Sequence, residues 1–201
     1  FVNTHRFNRK EERCDMENIV THDAKKILHV SNFRPVKRIA DIIRMFVKVK
    51  PKIKSKLLLV GEGPERIPAQ ELAQDLGLRD HVIFLGQQEG GDDILSCADL
   101  YLLPSEQESF GLSALEAMSC EVPVIGTNVG GLPELIKHGE TGYITEVGDV
   151  DKMALHAVDL LTDDTLRKTI GRQARQRVLD NFAEENVVPQ YESYYEEVLN
   201  Q

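Results

Sequence analysis

The sequence predicts a doubly wound α/β fold, a parallel sheet of about six strands followed by a helical C-terminal tail. Short apolar runs recur along the chain and are near-continuous rather than alternating, as in strands buried on both faces of a parallel sheet. Segments of helical period separate them, which is the repeated βα order of such folds. From Asp149 onward the strand-like runs stop and only helical patterns remain.

Taken in order, Ile27–Val30 is the first strand, and Ile39, Ile42, Ile43, Phe46 and Val47 mark the helix that returns from it. Leu57–Val60 is the second strand, with Leu72 and Leu76 on the next helix. Val82–Leu85 and Leu100–Leu103 read as strands three and four, and a helix starts near Gly111. Val122–Ile125 is the fifth strand, a short helix follows Gly131, and Gly142–Ile144 is a weaker sixth strand. Helical patterns then run through Met153–Leu161, Leu166–Val178 and Val187–Leu199.

The 201 residues (22.7 kDa) provide for one domain of good size, and 41% apolar with 28% charged residues is a soluble globular composition. No apolar stretch nears the ~18 residues of a membrane span, and the opening Phe1–Arg6 has no leader pattern. No membrane partner is expected. The first residue is not Met, and the opening segment has no obvious helix or strand partner, so the chain reads as a piece of something longer. Cys14, Cys97 and Cys120 are odd in number and widely spaced, so no disulfide framework or C-x-x-C pair can be written. They read as small apolar residues, and a reducing cytoplasmic location is expected. Residues 1–56 carry 15 Lys and Arg against 6 Asp and Glu, the remainder 9 against 27. An acidic chain of net charge −9 is a poor nucleic-acid binder, but its basic first quarter can hold a local anion.

In doubly wound folds ligands sit beyond the carboxyl ends of the strands. After strand one, Ser31-Asn32-Phe33-Arg34-Pro35-Val36-Lys37-Arg38 sets three cations just before a helix, an arrangement suited to phosphate. After strand two, Gly61-Glu62-Gly63-Pro64 is a turn at which backbone can approach a ligand, without the third glycine of a dinucleotide fingerprint. Strand three ends at Leu85-Gly86, where a base can meet backbone. The fourth loop, Leu103-Pro104-Ser105-Glu106-Gln107-Glu108-Ser109-Phe110-Gly111-Leu112, leads into the helix that carries Glu116. Gly111 leaves that helix N-terminus open to an anion, and Glu116, beside the apolar face, needs a partner such as an arginine or a vicinal diol. The fifth loop holds Gly130-Gly131. Asp92-Asp93, Asp149-x-Asp151 and Asp163-Asp164 are paired carboxylates read as helix caps, and no metal or other cofactor is expected.

Taken together, these loops resemble the C-terminal donor-binding domain of retaining GT-B glycosyltransferases of the glycogen-synthase-like family. Lys37, Gly61-x-Gly63-Pro64, Leu103-Pro104-Ser105, Glu108-x(7)-Glu116, Gly130-Gly131 and Glu134 fall in family order over nearly the whole chain. The resemblance implies a Rossmann-like half of a GT-B fold: residues 1–23 an interdomain segment, 24–181 the nucleotide-sugar domain, 182–201 a helix crossing back to an N-terminal acceptor domain absent from this sequence. It implies catalytic roles for Lys37, Arg34 and Glu108, and donor contacts from Ser31, Asn32, Gly61, Gly63, Leu85, Ser105, Ser109, Phe110, Gly111, Leu112 and Glu116. Where the family has arginine five positions before Lys37, this chain has Asn32, and Arg34 is the substitute on offer. Within the family, His29–Arg38 and Ser105–Gly111 look like members that transfer N-acetylglucosamine from UDP-GlcNAc to a small hydroxy acid such as L-malate. The partners implied are the nucleotide-sugar donor and the acceptor domain; association of copies stays open. Other UDP- or ADP-sugar transferases, a UDP-GlcNAc 2-epimerase and a non-catalytic binding module are the rival readings. The aromatic side of the last helix, with Tyr191, Tyr194, Tyr195 and Leu199, packs either on the N-terminal domain or on this chain's own core.

Overall fold

The computed structural model describes residues 1–10, 19–21 and 23–200. Six strands, β1 (Lys25–Val30), β2 (Ser55–Val60), β3 (Val82–Gly86), β4 (Leu100–Leu103), β5 (Val124–Thr127) and β6 (Gly142–Thr145), form one parallel sheet in the order β3-β2-β1-β4-β5-β6. Between them lie α1 (Ile39–Val49), α2 (Arg66–Asp75), α3 (Gly91–Ser96), α4 (Leu112–Ser119) and α5 (Leu132–Leu135). The tail is α6 (Val150–Thr162), α7 (Asp164–Asn181) and α8 (Glu184–Leu199). The sheet is buried on both faces. Ile27, Leu57, Leu59, Leu100 and Leu102 pack under α1, α2 and α6, while Leu28, Leu58, Tyr101, Leu103 and Val124 pack under α4, α5 and α7. This two-sided burial is why the strands read as unbroken apolar runs.

The chain order reverses between β1 and β4, which lie side by side though about seventy residues apart in sequence. That switch point opens a crevice beyond the carboxyl ends of both strands.

Several expectations need correction. The fifth strand begins at Val124, because Pro123 has no N–H to donate and Val122 N–H still closes the turn after α4 on Ala117 O. Asp149 and Asp163 do cap helices, accepting N–H bonds from Lys152 and from Thr165 and Leu166. Asp92 and Asp93 do not, since Gly90 holds the cap position of α3; they pair instead with Arg6 and Lys10. The opening segment has a partner after all: Val2 N–H donates to Phe182 O (2.9 Å), and Glu184 N–H donates to Val2 O (3.0 Å), a parallel bridge between Val2 and Ala183. Arg175 and the Ser119 hydroxyl fasten Phe7 O beneath α4. On α8, Tyr191, Tyr194, Tyr195 and Leu199 are all exposed, so they do not pack on this chain's own core. Cys120 is a buried free thiol whose pKa burial raises to about 12. Cys97 is partly buried and packs against the core, and Cys14 lies outside the described residues. No helix of the described residues is long and apolar enough to cross a membrane.

Candidate active site

A cleft of about 430 Å³ occupies the switch point, with Ser31, Asn32 and Lys37 on one wall and Glu108, Phe110 and Gly111 on the other. A second groove shares Val30 with it and continues past Gly61 to Gln87–Glu89.

The first wall is built on a buried imidazole. His29, wholly buried in β1, donates from Nδ1 to Leu102 O (2.8 Å), because a carbonyl can only accept. Its Nε2 therefore accepts from the Ser31 hydroxyl (2.8 Å), whose oxygen in turn accepts from Phe33 N–H (3.2 Å). Burial lowers the His29 pKa to about 4 against the opposing bond to Leu102, with the Lys37 charge adding to the lowering. The ring is thus neutral in the fold at neutral pH, but it accepts a proton near pH 6.5 once unfolded. As pH falls from about 6.5 to 4, the unfolded chain gains a proton that the folded chain refuses, so stability falls by about 3 kcal/mol across that window. Urea unfolding at a series of pH values is expected to show this slope, flattened in His29→Asn; equal slopes in both proteins assign the loss to other groups.

Beyond Ser31 the chain makes a left-handed turn at Phe33 and a single 3-10 turn, Pro35–Lys37, that aims Lys37 across the crevice. Lys37 Nζ reaches Glu108 Oε2 at 2.6 Å, with only 19% and 15% of the two side chains exposed. The Ser105 hydroxyl donates to the same carboxylate oxygen (3.2 Å), and Thr127 Oγ1 donates to Ser105 O (2.5 Å). The walls are joined again by Glu106 N–H to Val36 O (2.8 Å) and by Arg38, which bonds both Asp41 (2.6 Å) and Glu106 (3.4 Å).

The second wall turns into α4 at Gly111, whose φ of +90° lies in the region that favours glycine. The N–H groups of Phe110, Gly111 and Leu112 meet no acceptor among the described residues and form the electropositive end of α4. Glu116 stands just over one turn along that helix, half-buried. Burial raises its pKa; Arg6 opposes the shift and Asp92 adds to it. No hydrogen bond engages its carboxylate among the described residues.

The structure thus brings Ser31, Asn32, Lys37, Glu108, Ser109, Phe110, Gly111 and Leu112 to one cleft, with Ser105 buried behind Glu108 and Glu116 beyond the helix start. Arg34 is exposed and lines neither cavity. Leu85 O already accepts from the Gln88 side chain (2.6 Å). Gly61 lines the second groove, and at both Gly61 and Gly63 the place a side chain would take is filled by protein. A Cβ would stand 1.8 Å from Ser31 O at the first and 2.0 Å from Asn32 O at the second. Sequence reasoning passed over His29, Thr127 and Gln88. Of these, only His29 left a signal, as the one polar residue inside an apolar strand run.

Residues 12–177 match the family described as "Glycosyl transferases group 1". The N-acetyl-alpha-D-glucosaminyl L-malate synthase of Bacillus anthracis is 46% identical over 193 residues, 96% of this chain and 51% of that protein. Among solved structures, the sucrose-phosphate synthase of Thermosynechococcus elongatus has a TM-score of 0.91 at 28% identity, covering 99% of this chain and 51% of the other. A point mutant of S. aureus TarM in complex with fondaparinux, alpha-GlcNAc-glycerol and UDP has a TM-score of 0.84 at 25% identity, covering 96% of this chain and 38% of the other. The chain spans about half the length of the malate synthase and of the sucrose-phosphate synthase.

Proposed function

Since the chain belongs to the group 1 glycosyl transferases, we propose that it is the donor half of a retaining transferase that uses UDP-GlcNAc and glycosylates a small hydroxy acid such as L-malate. In this reading residues 24–181 hold the donor, residues 1–23 connect to an N-terminal acceptor domain, and residues 182–201 return to it. The single observation that carries the proposal is the cleft itself. It sets one cation, one carboxylate and three free N–H groups around a space at the switch point. The identity to the malate synthase supports the choice of donor and acceptor.

As the anomeric C–O bond breaks, the departing diphosphate gains negative charge. Lys37 and the N–H groups of Phe110, Gly111 and Leu112 stabilise that charge, the preorganised electrostatic contribution that is usually largest in enzymes. Glu108 accepts from the sugar hydroxyls and Glu116 from the ribose diol, each carboxylate offering two oxygens. Gln88, whose side chain is held on Leu85 O, borders the groove that takes the base. Arg34, outside the cleft, is assigned no step. These groups need no metal ion or other cofactor.

Titration calorimetry tests this with UDP, UDP-GlcNAc and UDP-glucose, in EDTA and then in magnesium. Saturable UDP binding in EDTA is expected, weakened about tenfold in Glu116→Ala, which is ~1.4 kcal/mol. UDP-GlcNAc is expected to bind more tightly than UDP-glucose. Binding that requires magnesium, or that survives Glu116→Ala unchanged, overturns the assignment. Little malate glycosylation is expected from this chain alone.

A further inference from the structure

We propose that Phe182, at the end of α7, is a positioning residue that holds the Phe110–Leu112 loop in its donor-binding shape. The proposal rests on the reading of the cleft as a donor site. The Phe182 ring meets the Phe110 ring edge-on, with centroids 5.8 Å apart and planes at 66°. On its other side the Arg177 guanidinium lies over Phe182 at 5.7 Å from the ring centroid. Arg177 Nε also donates to Leu135 O (2.7 Å) at the end of α5, so one side chain fixes both the ring and that helix. Helix α5 is in turn pressed against the same loop. A Cβ added to Gly111 would lie 2.6 Å from Leu132 Cδ2 and 3.5 Å from Leu135 Cδ1.

The loop therefore has two supports from one place, Phe182 against Phe110 and Arg177 through α5 against Gly111. It needs them. Ser109 is exposed, Phe110 is only half-buried, and the N–H groups of Phe110, Gly111 and Leu112 meet no acceptor among the described residues to fix their direction. Edge-to-face rings and a cation over a ring are directional, so they set the orientation of Phe110 as well as its burial. Phe182 is itself anchored, since its carbonyl accepts from Val2 N–H (2.9 Å) in the bridge that joins the two ends of the chain. The Phe182 ring meets the Phe110 side chain rather than the N–H groups assigned to the donor, and acts on them through Phe110.

The test compares wild type, Phe182→Ala, Phe182→Tyr and, as a matched packing loss on the same helix, Val178→Ala. Two readouts are taken on each: amide hydrogen exchange across the chain, and UDP affinity by calorimetry. In Phe182→Ala the amides of Leu115 and Gly131, which donate to Gly111 O and Ser109 O of the loop, are expected to exchange at least tenfold faster, with the six strands unchanged, and UDP affinity to fall five- to tenfold. Phe182→Tyr is expected to restore both. Val178→Ala is expected to lower overall stability while leaving loop exchange and UDP affinity at wild-type values. Unchanged loop exchange in Phe182→Ala overturns the support itself. Faster exchange with unchanged UDP affinity overturns its importance for the donor. A wild-type chain that binds no UDP overturns the donor reading, and loop exchange still decides whether Phe182 holds Phe110.

Discussion

Lys37→Ala is expected to weaken UDP binding by about a hundredfold, ~3 kcal/mol, while Glu108→Gln is expected to tighten it by about tenfold. The opposite signs follow from the 2.6 Å pair that the two residues make across the cleft. In Lys37→Ala the diphosphate loses its cation and must also approach Glu108, a mostly buried carboxylate left without its counter-charge. In Glu108→Gln the ammonium is freed from its competitor, so UDP gains. The nucleotide sugar is expected to gain less, because the amide offers its hydroxyls one acceptor oxygen where the carboxylate has two. The double variant should recover part of the stability that Lys37→Ala loses, since no lone charge remains buried. Calorimetry on the four proteins decides: Lys37→Ala binding UDP within threefold of wild type would sink this account.

A comparable loss, of stability this time, is expected from a single methyl group at Gly130. Its φ of +51° is left-handed, and a Cβ there would lie 1.6 Å from Glu108 O. That oxygen is backbone and cannot swing aside, so either Glu108 leaves its place or the fifth loop does. We expect Gly130→Ala to cost roughly 3 kcal/mol or more. Gly139, with φ of +79° and open space around it, supplies the comparison. Gly139→Ala meets only the left-handed backbone cost, about 1 kcal/mol. Urea unfolding of the two variants separates steric exclusion from backbone strain, and equal losses would show that the packing against Glu108 O contributes nothing.

The strands were legible because burial on both faces leaves little for the sequence but apolar runs, and the helices because their period survives beside them. The boundary at Pro123 was missed by treating an apolar run as a strand without asking which residues can donate to the ladder. Asp92 and Asp93 were misplaced as caps because their true partners, Arg6 and Lys10, are some eighty residues away. Distance in sequence hid most of the site in the same way. Lys37 and Glu108 were both singled out, but only the adjacency of β1 and β4 puts one against the other. The exposed tyrosines of α8 show the limit of pattern: a helical stripe says which side is apolar, not what lies opposite it.

The glycine turns carry a further consequence. Gly61 and Gly63 are fitted to the carbonyls of Ser31 and Asn32, and Gly130 and Gly131 to those of Glu108 and Ser109. Each outer turn is a mould of the inner loop beside it, so the two walls of the cleft come as interlocking pairs. Anyone exchanging cleft loops between relatives, to alter which sugar is accepted, would have to move residues 31–38 together with 61–65, and 104–111 together with 126–131. A graft of one member alone would meet a carbonyl where its partner expects a gap.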